Sequence, residues 1–132
     1  MKKTALLHAE LSHLIASMGH KDMLVIGDAG LPAPPGIPVI DLALRQGVPG
    51  FLETLEVVLT ELHVEEALID AEMAAVSPAM SEAFHRAWPT DVPVRAVPHL
   101  TLQETARQAR AVVRTGEFTP YSNIVLISGV VF

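Results

Sequence analysis

A chain of 132 residues has the size of one domain, and half of it is hydrophobic at a net charge of −6. Nine lysines and arginines and few aromatics exclude the basic, base-stacking surface of a nucleic-acid binder. The absence of cysteine excludes disulfides, thiolate nucleophiles and cysteine metal sites.

The mean hydropathy of +0.38 is high for so short a chain, which has little interior. Subunit interfaces are therefore expected to bury part of the apolar surface. No apolar run reaches the roughly 18–20 residues that span a bilayer. Lys2-Lys3 before Ala5-Leu6-Leu7 has the opening of a signal peptide, but His8, Glu10 and His13 interrupt it. The expectation is a soluble, unprocessed, cytoplasmic chain that needs no membrane.

Leu7, Leu11, Leu14 and Met18 recur at helical spacing and predict a helix over 4–18, capped by Thr4 and ended by Gly19. Met23 to Ile26 reads as a strand covered on both faces. Four prolines and two glycines make residues 30–38 irregular. Val39 to Leu42 predicts a short strand. Pro49 opens a helix carrying Leu52, Leu55, Val58, Leu59 and Leu62. Ala67 to Asp70 reads as strand, and Ser77-Pro78 starts a helix to about Trp88. Val92 to Val97 reads as an edge strand, because Pro93 lacks a ladder donor. Thr101 and Glu104 form a capping box for a helix to about Arg114. Ile124 to Ile127 and Val130 to Phe132 close the chain as strand, bulged at Gly129. This alternation predicts one α/β domain over 1–132, with a mostly parallel or mixed central sheet flanked by helices.

Two segments carry the candidate chemistry: His20 through Pro32, and Thr119 through Asn123. Histidine is the side chain suited to moving protons near neutral pH. In open α/β sheets ligands bind beyond the carboxyl ends of strands. Asp28 leaves its strand there, and His99 follows Val92–Val97 at the corresponding end. Parallel strands would bring both to one crevice. His20 precedes its strand, so it falls at the other end; it reaches the crevice through a loop or from a neighbouring subunit. Plainer roles compete. His20 also suits a helix C-terminus, Asp28 a turn, His99 a helix start, Tyr121 loop packing and Asn123 a turn. The chain has no phosphate-binding glycine loop, nucleophile elbow or His-Glu-x-x-His pattern, so no cofactor or metal is expected.

Gly19-His20-x-Asp22 with Asp28-Ala29-Gly30-Leu31-Pro32-x-Pro34 resembles the N-terminal signature of the RbsD/FucU sugar mutarotase family, which includes the D-ribose pyranases. Ile40 to Leu44 with Gly47-Val48-Pro49 resembles its next block. Arg114 to Glu117 with Pro120 to Ile124 resembles its C-terminal block. The likeness runs over the whole chain, is thin in motifs over 64–98, and favours the ribose branch through Asp-Ala-Gly-Leu-Pro. It implies an isomerase that interconverts pyranose and furanose ribose by ring opening and reclosure, without a cofactor. It implies His20 as proton donor and sugar contacts at Asp28, His99, Tyr121, Ser122 and Asn123. Where the family usually has alanine, Ser122 stands; a backbone contact survives that change. It also implies a homodecamer in which the tyrosine loop completes a site with a neighbouring subunit. The alternatives are a non-catalytic sugar-binding module, a mutarotase for fucose or a related sugar, and a phosphohistidine carrier at His20.

Overall fold

The computed structural model describes residues 1–132. Its elements are α1 (Ala9–Ser17), β1 (Met23–Gly27), β2 (Val39–Asp41), α2 (Phe51–Leu59), β3 (Val64–Asp70), α3 (Glu72–Val76), α4 (Pro78–Ala87), β4 (Val94–Val97), α5 (His99–Ala106), β5 (Ala111–Arg114) and β6 (Ile124–Ser128). The strands form one six-stranded sheet in the order β2-β5-β1-β6-β3-β4. Pairing is parallel for β1 with β5, β5 with β2, and β3 with β4. Only β6, between β1 and β3, runs antiparallel to its neighbours. The sheet is therefore mixed, as the alternation of elements predicts.

Why the central strands read as unbroken apolar runs is plain from their two faces. Leu24, Ile26, Ala67, Ile69, Val113, Ile124 and Leu126 pack into one core with Leu11 of α1, Phe51 and Leu55 of α2, and Phe84 of α4. Val25, Leu68, Val112 and Val125 point the other way and meet Leu102 and Ala106 of α5. The alternation is the period of two expected of strands. Phe51 and Phe84 are wholly buried; each such burial stabilises by roughly 1.5–3 kcal/mol.

The structure corrects several boundaries. The first helix starts at Ala9, not Thr4: His8 is the cap, its Nδ1 accepting the Leu11 N–H at 3.2 Å. Thr4 instead donates to Glu61. Gly50, not Pro49, precedes α2. A short helix, α3, lies between Asp70 and Ser77, where none was expected. The last helix ends at Ala106 rather than Arg114, and Pro98 rather than Thr101 is its cap. The β-branched pair Val112-Val113 takes a central strand instead, paired on both sides, so tertiary pairing overrides the capping-box reading. At the C-terminus, β6 ends at Ser128 and residues 129–132 form no strand.

Candidate functional site

The parallel strands β1, β3, β4 and β5 deliver their carboxyl ends to one side of the sheet, and antiparallel β6 delivers its amino end there. A cleft of about 560 Å³ opens at that place, within the range of about 300–1,000 Å³ common for small-molecule sites. Asp28 after β1, His99 after β4, and Tyr121 and Asn123 before β6 line it together. The crevice expected from Asp28 and His99 thus forms.

Local chemistry fixes each side chain. Gly27 ends β1 where a Cβ would come within 2.5 Å of the Leu31 side chain and 3.0 Å of Asn123 Oδ1. The backbone can therefore turn tightly into the cleft. Asp28 Oδ1 accepts the Gly30 N–H at 3.0 Å, an aspartate turn. The Asp28 N–H donates to Asn123 Oδ1 at 2.9 Å, which ties the two candidate segments together. Tyr121 holds φ at 61°, in the left-handed region. Its ring meets His99 edge-on at 5.3 Å. Ser77 Oγ donates to the Pro120 carbonyl at 2.7 Å and pins the same loop.

Two further carboxylates escaped the sequence reading. Asp70, the last residue of β3, is 1% exposed. Its Oδ1 lies 3.0 Å from His99 Nδ1, and its Oδ2 accepts from Asn123 Nδ2 at 2.8 Å. Glu117 lines the cleft and accepts from the Phe51 N–H and from both the N–H and hydroxyl of Thr119. Arg114 also lines the cleft, donating to the Ala29 carbonyl and to Asp41. The available signal for Asp70 was position alone: a charged residue ending an otherwise apolar predicted strand.

Burial pushes the Asp28 carboxyl above its ordinary range, against the hydrogen bonds from Gly30 and Asn123. Burial likewise raises Asp70, opposed by hydrogen bonds from Asn123 and His99. Burial also acts to raise Glu117, but the hydrogen bonds from Thr119 and the Phe51 and Phe118 amides outweigh it and hold that carboxyl low.

Two expected site residues stand apart. The Ser122 side chain is wholly buried, does not line the cleft, and its Oγ has no hydrogen-bond partner. His20 sits before β1, at the other end of the sheet. Its Nε2 is 3.0 Å from Glu65 Oε2, and Lys21 pairs with the same carboxylate. No group of three histidine or acidic side chains is placed to hold a metal ion, and no helix is long and apolar enough to cross a membrane.

Fold and site define an α/β protein with a small-molecule cleft at the strand ends, furnished with carboxylate, imidazole, phenol and amide groups. The model of the RbsD / FucU transport protein family matches residues 1–131, and the chain belongs to that family. It is 54% identical to the D-ribose pyranase of Chloroflexus aggregans and 52% identical to that of Symbiobacterium thermophilum, each over the full length of both chains. Its fold matches the structure of Bacillus subtilis RbsD complexed with D-ribose at a TM-score of 0.95 and 38% identity, covering both chains fully.

Proposed function

We propose that this protein is a D-ribose pyranase, an isomerase that catalyses exchange between the pyranose and furanose forms of ribose. One observation carries most weight: Asp28, His99, Tyr121 and Asn123 converge on one cleft in a chain so close in fold to an RbsD that binds D-ribose. Carboxylate, imidazole, phenol and amide groups match the hydrogen-bonding needs of a polyhydroxyl ligand.

Ring opening needs a proton delivered to the ring oxygen and one removed from the anomeric hydroxyl. His20 is the proposed donor. Asp28 accepts from sugar hydroxyls as a carboxylate, and Tyr121 and Asn123 hold the remaining ones. Ser122 contributes through its backbone. A positioned acid–base group contributes about 10²–10⁴-fold, enough for a reaction that already proceeds in water. Because His20 lies at the far end of β1, a neighbouring copy supplies it to the cleft. The protein then acts as a homo-oligomer, a decamer by family resemblance, working in the cytoplasm as one unit over 1–132. The apolar Val131 and Phe132 at the exposed C-terminus suit such an assembly.

The separation of His20 from the cleft also favours a second reading, a sugar-binding module without catalysis. Exchange NMR on equilibrated ribose decides between them. Accelerated pyranose–furanose exchange, abolished by His20→Ala, supports the pyranase; saturable ribose binding with unaltered exchange supports the module. Parallel runs with fucose measure sugar preference.

A further inference from the structure

Asp70 lies behind the cleft and determines which atoms its neighbours can offer. The Asp28 N–H can only donate, so the Asn123 oxygen it meets at 2.9 Å must accept. The Asn123 Nδ2 then donates to Asp70 Oδ2. At His99 the constraint comes from both sides of the ring. Gln103 Nε2, oriented as a donor, lies 2.9 Å from His99 Nε2, which accepts in that arrangement. A neutral imidazole carries one N–H, so the proton sits on Nδ1 and points at Asp70 Oδ1, 3.0 Å away. The backbone is held as well: the His99 N–H donates to both carboxylate oxygens of Glu72, at 3.1 and 3.0 Å.

Resting on the pyranase reading above, we propose that Asp70 is a positioning residue that makes His99 the proton acceptor of the sugar cleft. In ring opening the anomeric hydroxyl displaces the Gln103 amide from Nε2. The anomeric O–H bond breaks and its electron pair forms the C1 carbonyl. The bond from C1 to the ring oxygen breaks, and that oxygen takes the proton of His20. His99 keeps the anomeric proton as an imidazolium facing the Asp70 carboxylate. On reclosure another hydroxyl attacks C1 and loses its proton to His20, while His99 returns its proton to the carbonyl oxygen. Protons and electrons balance over the cycle. An aspartate behind a histidine holds the tautomer and stabilises the imidazolium in the same way in hydrolytic triads. The charged or titratable groups facing His99 are Asp70 from β3, Glu72 from α3, Asp28 beyond β1 and Tyr121 before β6.

The test combines exchange NMR with long-range proton–nitrogen NMR of the His99 ring. The wild-type ring is expected in the Nδ1–H form. In Asp70→Asn, the new amide oxygen is needed by Asn123, so its NH₂ faces His99 and the proton moves to Nε2. Exchange should fall by about 10²-fold, with a smaller change in the ribose concentration for half-saturation. His99→Gln should lose activity comparably, and adding Asp70→Asn to it should cost less than Asp70→Asn does alone. An Nε2–H wild-type ring, or full activity in folded Asp70→Asn, overturns the proposal. Should Asp70→Asn not fold, the wild-type tautomer and His99→Gln still decide it: full activity in the latter also overturns it. A wild-type protein without exchange catalysis refutes the pyranase reading instead, and the ring spectrum then reports separately on the Asp70–His99 pair.

Discussion

His20 and Asp28 stand at opposite ends of β1. His20 Nε2 contacts Glu65 Oε2 at 3.0 Å before the strand, and Asp28 lines the cleft after it. Five strand residues separate the ends by about 16 Å at roughly 3.3 Å per residue. No side chain of one copy bridges that span, so the proposed acid and the proposed sugar contact would meet only between copies.

That geometry predicts complementation. His20→Ala and Asp28→Asn should each be nearly inactive alone. Oligomers refolded from a mixture should regain ribose exchange, because some clefts then pair an intact Asp28 with an intact His20 from the neighbour. Exchange NMR on the mixture reads the outcome. Activity no greater than the sum of the separate variants would show that both residues must lie in one chain.

Asp28 carries a pH signature. Burial, its largest influence, raises its carboxyl from the ordinary 3.8. Between that value and the raised one the folded protein binds more protons than the unfolded chain, so this group's contribution to stability falls as pH rises. Asp28→Asn removes the penalty. The Tm of the variant minus that of the wild type should increase with pH through this window and level off above it. A difference that shrinks as pH rises would contradict the assigned direction. Ribose binding should weaken together with rate, read as a higher half-saturation concentration.

Ser122 makes the opposite kind of prediction. Its hydroxyl is wholly buried with no partner. A buried polar group without a hydrogen bond costs about 1–3 kcal/mol. Ser122→Ala should therefore unfold at higher denaturant, by about 1 kcal/mol, and keep its exchange activity, since only the backbone is assigned to the sugar. A loss of stability would mean that the hydroxyl has a partner in the assembled protein.

What the sequence made legible follows from which forces are local. Met23–Ile26, Ala67–Asp70 and Ile124–Ile127 were readable as strands because both faces are buried and the apolar runs are continuous. Asp28 and His99 were readable because strand direction places them at one end of the sheet. β5 was missed because Thr101 and Glu104 mimic a cap, and only pairing with β1 and β2 makes Ala111–Arg114 a strand. Asp70 was missed because its significance is tertiary: its partners lie 29 and 53 residues away in sequence. Asn123 is named by the family resemblance, but its bond to the Asp28 amide crosses 95 residues and is legible only in the folded chain.

Gly27 tests whether that crossing matters. A methyl group there would approach the Leu31 Cβ to 2.9 Å and Asn123 Oδ1 to 3.0 Å, both closer than ordinary contact. Leu31 is buried, with its Cβ fixed to the backbone, so the turn itself must move. Gly27→Ala should push the Asp28 loop from Asn123 and lengthen the 2.9 Å bond between them. Overpacking of this kind costs about 1–3 kcal/mol, measurable by urea denaturation. The fold should survive, because the β1 residues paired with β5 and β6 are untouched up to Ile26. Exchange activity should fall more steeply than stability, since the displaced atoms are those that place Asp28 and Asn123, the proposed sugar contacts, in the cleft. A variant with wild-type exchange and the expected loss of stability would show that the cleft tolerates movement of the Asp28 turn.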